Sequence, residues 1–159
     1  MRILLTLLLF CCAACSTPAQ SGNLPDSRLT PGDTLDVTQA DICSHGYTKL
    51  VRDVPAAVKR EAYAEDGRSK EKGKCCEVDH LIPLELGGSN RLKNLWPEPY
   101  NIDWNARVKD RLENHLHAMV CSGEIDLPAA QKAIASDWVA AYKLYVGESP
   151  GQKRVRHRR

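Results

Sequence analysis

Between Cys76 and Trp96 the chain reads CEVDHLIPLELGGSNRLKNLW, an apolar segment interrupted by one proline and a double glycine. Val78, Leu81, Ile82, Leu84 and Leu86 give Cys76 to Leu86 the apolar weight of a strand, and Pro83 demotes its far half to an edge or a bulge. Gly87-Gly88-Ser89-Asn90 is a strong turn signal. Arg91 to Trp96 then returns as a second short strand, which Pro97 and Pro99 end. A hairpin of this kind cannot bury its own faces, so helices on either side must cover it.

Those helices are legible. Asp53-Val54-Pro55 offers an N-cap and a first-turn proline, after which Val58, Ala62 and either Tyr63 or Glu65 recur at helical spacing until Gly67. From about Asp103 to Cys121 the stripe Val108, Leu112, Leu116 and Met119 marks an amphipathic helix closed by Gly123. A last helix runs from about Pro128 to Val146, with Ile134, Trp138, Ala141 or Tyr142, and Tyr145 on one face and Gly147 beyond. Trp96, Trp104, Trp138, Tyr142 and Tyr145 read as core at this spacing rather than as base-stacking groups. The expected class is α+β, a small hairpin with flanking helices. With 43% hydrophobic and 26% charged residues in 159, the composition fits one folded domain and excludes fibrous and disordered chains.

Met1-Arg2 followed by the apolar run to Phe10 predicts a signal peptide over 1–15. Cys11-Cys12-Ala13-Ala14-Cys15 is similar to the lipobox of bacterial lipoproteins. Two readings stay open: lipidation of Cys15, with membrane attachment through it, or cleavage near Ala14 or Ala19. Residues 16–34 read as a flexible leader, 35–147 as the domain and 148–159 as a basic tail. The expected location is exported, whether periplasmic, anchored at the outer membrane or secreted. Without Arg2 and the five basic groups of the tail, 16 basic residues face 20 acidic ones, so any anionic partner is met by a local patch. Export also implies oxidation of the four body cysteines. Cys43, Cys75, Cys76 and Cys121 allow three pairings, and the expectation sends each of the adjacent pair Cys75 and Cys76 to a distant partner. Outside the Cys12–Cys15 spacing in the signal segment, the four body cysteines form no CxxC pair to suggest a cysteine zinc site.

Reactive groups gather around the double glycine. Antiparallel pairing about Gly87 sets His80 opposite Asn94, where an amide oxygen can hold one imidazole nitrogen and leave the other free as a base. Asp79 is a natural ligand for Mg²⁺. Neighbours on a strand point to opposite faces, so Asp79 and His80 share a site only if the strand is bulged or strongly twisted.

The ensemble DHLIPLELGG, then Asn94-Leu95, then a helix, resembles the HNH endonucleases, the ββα-metal nucleases. The resemblance covers roughly Val78 to Lys109. It implies a ββα-metal core, with Asp79 as first metal ligand, His80 as general base and Asn94 as the residue orienting it. The third ligand is placed on Asn105, with Asp103 as runner-up. It further implies hydrolysis of DNA, or of RNA, with little sequence specificity. One divalent cation is expected, Mg²⁺ before Mn²⁺ or another ion, with no organic cofactor, in a monomer. Arg107 and Lys109 on the helix and Arg91 and Lys93 on the returning strand are the expected phosphate contacts. Two other readings stand beside this one: a module on the same scaffold that binds nucleic acid or a cell-envelope partner without cutting, and a zinc hydrolase built on His80, His115 and His117. The second of these is disfavoured because positions i and i+2 on a helix diverge.

Overall fold

In a computed structural model, residues 23–69 and 73–147 are described. The signal peptide, the lipidation candidate Cys15 and the basic tail lie outside them. Two antiparallel strands, β1 (Cys76–His80) and β2 (Leu95–Pro99), sit among five helices: α1 (Gln39–Ile42), α2 (Tyr47–Val51), α3 (Ala56–Glu65), α4 (Ala106–Ser122) and α5 (Leu127–Tyr145). The class is α+β.

Local signals set several of the helix ends. Thr38 and Asp41 form a reciprocal capping box on α1. Pro55, rather than Asp53, sits at the N-cap of α3, and Gly67 ends that run at φ 72°. Asn105 caps α4, its Oδ1 accepting from the Val108 N–H. In α5 the helix breaks at Asp137, whose carboxylate accepts from the Ala140 N–H and so restarts the second half. The sequence predicts this helix unbroken, since apolar spacing does not register a polar mid-helix cap.

The core lies between α4 and α5. Leu112, Leu116 and Val120 from one, and Ile134, Trp138 and Tyr142 from the other, are fully buried together with Leu86. Trp104 meets Trp138 and Tyr142 edge-on at 5.9 and 5.4 Å, so these aromatic rings are core.

The hairpin differs from expectation in register and in its link. β1 ends at His80, and residues 81–94 form a long connection with 3₁₀ turns at Leu84–Leu86 and Leu92–Asn94 instead of a tight turn. Pro83 has no N–H to continue the ladder, and Gly87, at φ 75°, closes the first turn. The ladder runs without a bulge from Cys76↔Pro99 to His80↔Leu95, one residue away from pairing His80 with Asn94. β2 passes through Pro97 and Pro99 because each strand of a two-stranded ribbon has a free edge.

Residues 23–34, read from sequence as leader, are part of the body. Trp138 Nε1 donates to the Asn23 carbonyl at 2.7 Å, Thr30 Oγ1 to that of Leu95 at 3.2 Å, and the Gly32 N–H to that of Lys93 at 3.0 Å. Polar composition alone does not reveal partners so distant in the chain. The cysteines also differ from expectation. Cys43 pairs with Cys121, Cα atoms 5.7 Å apart, joining the C-cap of α1 to the end of α4. Cys75 and Cys76 pair with each other. Docking of α1 on α4 takes both distant partners, which among the described cysteines leaves Cys75 and Cys76 only one another. Closing 78 residues of chain, the long-range bridge is worth about 4.5 kcal/mol in the chain-entropy picture.

The connection 81–94 is closed around Gly88, where a Cβ would collide with the Ile82 carbonyl oxygen and press on Asn94 Nδ2 at 2.9 Å. Gly88→Ala is expected to destabilise the fold by about 2 kcal/mol or more, read as a lowered midpoint in urea with an unchanged m-value.

Candidate active site

His80 is almost wholly buried, and its Nε2 lies 2.9 Å from Asn90 Oδ1. Asn90 Nδ2 donates to the Val51 carbonyl at 2.7 Å. A carbonyl only accepts, so the amide nitrogen must face Val51 and the amide oxygen must face the imidazole. His80 therefore carries its proton on Nε2. Nδ1 makes no hydrogen bond among the described residues and is left with a free lone pair. Burial pushes the imidazole below the ordinary histidine value, against the Asn90 bond and the Asp79 charge. The ring is thus held neutral, in one tautomer, with one basic nitrogen available.

Asn94 has a different task from the one expected. It is fully buried, its Nδ2 donates to the carbonyls of Ile82 and Ser89 at 2.9 and 3.0 Å, and its Oδ1 accepts from the Ile82 N–H at 2.9 Å. Asn94 clamps the connection just after His80, and Asn90 orients the imidazole. The one-residue change of register accounts for this, because it sends every side chain of the returning strand to the other face.

Asp79 projects toward α4, away from Asn90, as strand alternation requires without a bulge. Its Oδ2 accepts from Lys109 Nζ at 2.7 Å. The ammonium also donates to the His80 carbonyl at 2.6 Å and to Glu113, and lies 3.7 Å from Glu98. Lys109 and Glu98 are wholly buried. Lys109 is therefore no surface phosphate contact but a central counter-ion. Burial opposes charge on every member of this cluster. For Asp79 the Lys109 charge, with hydrogen bonds from Glu98, Lys109 and the His80 N–H, outweighs burial and lowers the carboxyl to about 2. Burial raises Glu113 to about 8 and Glu98 well above its ordinary range. Neither Glu98 oxygen finds an N–H or O–H partner. A proton on Glu98, donated to Asp79, answers that deficit. Asp79 is then the one carboxylate facing one ammonium, with two neutral acids beside them.

Asn105 spends its amide on the helix start, Nδ2 on the Ile102 carbonyl at 2.8 Å and Oδ1 on the Val108 N–H. The side chains that gather on Asp79 are Glu98, Lys109 and Glu113, not Asn105. Asp103 and Arg107 are exposed, and so are Arg91 and Lys93 on the connection 81–94, where Arg91 pairs with Asp33 at 3.2 Å.

A cleft of about 420 Å³ opens beside β1. Glu77, Asp79, His80 and Tyr100 line it together with Arg52 after α2 and Lys59 on α3. Asp79 and His80 thus border one space although their side chains diverge. Arg52, Lys59 and Tyr100 carry no local signature, and only the docking of α2 and α3 beside the hairpin brings them here. Asn90 was readable only as part of a turn, and Glu113, four residues after Lys109, as an ordinary helix ion pair. Comparison of the chain with family models, with curated proteins and with solved structures returns no match.

In metal-free buffer Glu113 gives stability a sign that can be checked. Its carboxyl ionises near 4.5 in the unfolded chain and near 8 in the folded one. Between those values the unfolded state releases the proton first, so stability should fall as pH rises through that window. Glu113→Gln should flatten the fall, as read by urea midpoints at successive pH values in EDTA.

Proposed function

We propose that this chain is an endonuclease that hydrolyses phosphodiester bonds of nucleic acid, DNA before RNA, with little sequence specificity. The reading includes a ββα-metal core made of β1, β2 and α4, one divalent cation with Mg²⁺ first, and export from the cell. The observation that carries it is the pairing of a neutral, tautomer-fixed His80 with a cleft that also presents two cationic side chains.

The donor chemistry around Asp79 suits a hard cation, because Glu98 and Glu113 offer carboxyl oxygens that would lose their protons on binding it. Asp79 would hold such an ion with those two acids, in company with Lys109. Bound there, the ion supplies stabilisation of the charge that develops on the phosphate. The remaining work falls to the chain. His80 Nδ1 takes a proton from water as the water oxygen bonds to phosphorus. The bond from phosphorus to the 3′ oxygen breaks, that oxygen gains a proton from solvent, and the product carries a 5′-phosphate. Asn90 keeps Nδ1 deprotonated by holding the proton on Nε2. Arg52 and Lys59 hold the phosphate backbone without reading bases.

A second reading, binding without cleavage, draws on one observation: the Lys109 ammonium already fills the centre of the acid cluster. Plasmid incubated with the protein and Mg²⁺ or Mn²⁺ separates the two. Cleavage that EDTA stops, and that His80→Ala slows by about 10² to 10⁴, supports the nuclease. Cleavage indifferent to His80→Ala would reject it, and salt-sensitive binding with no cleavage selects the second reading. Asn90→Ala should lower kcat by about tenfold or more with KM nearly unchanged. Arg52→Ala should raise KM and reduce the salt slope of binding by about one.

A further inference from the structure

At the joint between α1 and the last turns of α4, an imidazole stands against a disulfide. His117, one helical turn before Cys121, brings Nε2 to 3.4 Å from the Cys121 sulfur and 3.2 Å from the Ile42 carbonyl. The Cys43 and Cys121 sulfurs and one imidazole nitrogen of His117 all lie within 4.8 Å of one another. A disulfide needs two sulfurs and no imidazole. Two sulfurs and one nitrogen supply three of the four donors of a tetrahedral zinc ion, with donors about 3.5 to 3.8 Å apart for bonds of about 2.3 and 2.0 Å. Positions i and i+4 put His117 and Cys121 on one face of α4, while the C-cap of α1 carries Cys43 to them. Exposed His115, two residues from His117, plays no part.

We propose that Cys43, His117 and Cys121 form a second, redox-gated metal site. It takes a borderline-soft divalent ion, zinc above all, once the Cys43–Cys121 bond is reduced. A dithiol reductant delivers two electrons and two protons to the sulfur–sulfur bond, leaving two thiols and becoming a disulfide itself. Zinc then displaces both thiol protons, and His117 gives up the Ile42 carbonyl, shifting its proton from Nε2 to Nδ1 to free a lone pair. Three protein donors leave the fourth position to water. The ion joins α1 to α4 where the disulfide did, and the two cross-links exclude each other because they use the same sulfurs. Nothing in this depends on the cleft or on nuclease activity.

The test uses the full chain carrying Cys11→Ser, Cys12→Ser, Cys15→Ser, Cys75→Ser and Cys76→Ser, so that only Cys43 and Cys121 contribute thiols. Reduced with a dithiol and titrated with Co²⁺, it should develop the thiolate charge-transfer and tetrahedral ligand-field bands, which one equivalent of Zn²⁺ removes. His117→Ala should weaken zinc at least tenfold, Cys121→Ser should abolish the tetrahedral bands, and the oxidised protein should show none. Thermal melts cover a reduced chain that folds poorly: Zn²⁺ should raise its melting temperature, or restore its folding, in the parent and not in His117→Ala. Equal zinc affinity in parent and His117→Ala, equal binding before and after reduction, or no zinc-dependent stabilisation would each overturn the proposal.

Discussion

One ammonium group holds the hairpin to the helix that covers it. Lys109 projects from α4 to meet Asp79 on β1, the carbonyl of His80 and Glu113 on its own helix, with Glu98 of β2 at 3.7 Å. Each contact ties α4 to a strand or to itself. Removing one partner of such a buried set typically costs 3–5 kcal/mol, because the charge left behind has neither water nor counter-ion. The cluster is therefore a fixed point: where Lys109 stands, the ends of both strands are set, and with them the position of the His80 backbone.

The imidazole itself is positioned by a separate route. Its orientation passes from Val51 through Asn90, while its backbone neighbours are pinned by Asn94 across the connection 81–94. Two asparagines four residues apart do unlike jobs, one fixing a tautomer and the other closing a loop. That division keeps the polar atoms of a buried connection satisfied without spending His80 Nδ1 on them.

Much of this was readable from the residues. The spacing of Val108, Leu112 and Leu116 located α4, and Gly67 and Gly123 marked helix ends correctly. Asp79 and His80 stood out because two reactive side chains beside a double glycine rarely lack a task. The register was not readable: a turn signal gives where the chain reverses, whereas the two 3₁₀ turns that lengthen the link depend on tertiary contacts with Val37, Gln131 and Asp33. Asn105 looked like a ligand because a polar residue at a helix start serves capping and coordination equally well in sequence. Arg52 and Lys59 were invisible for a plainer reason, since exposed charges acquire meaning only from what stands opposite them. Cys75 and Cys76 paired with each other because the other two described cysteines were already joined.

The strap formed by residues 23–35 crosses the molecule in a set order. It touches Trp138 of α5 first, then Leu95 and Lys93, then Ser89 through Asp33, and finally Gly87 through the Leu35 N–H. A pull on the amino end would be resisted first at Trp138 and next along the connection that carries Asn90 and Asn94, before it reached the disulfide-joined helices. Mechanical load entering at Asn23 is thus shared first with α5 and then with the connection 81–94.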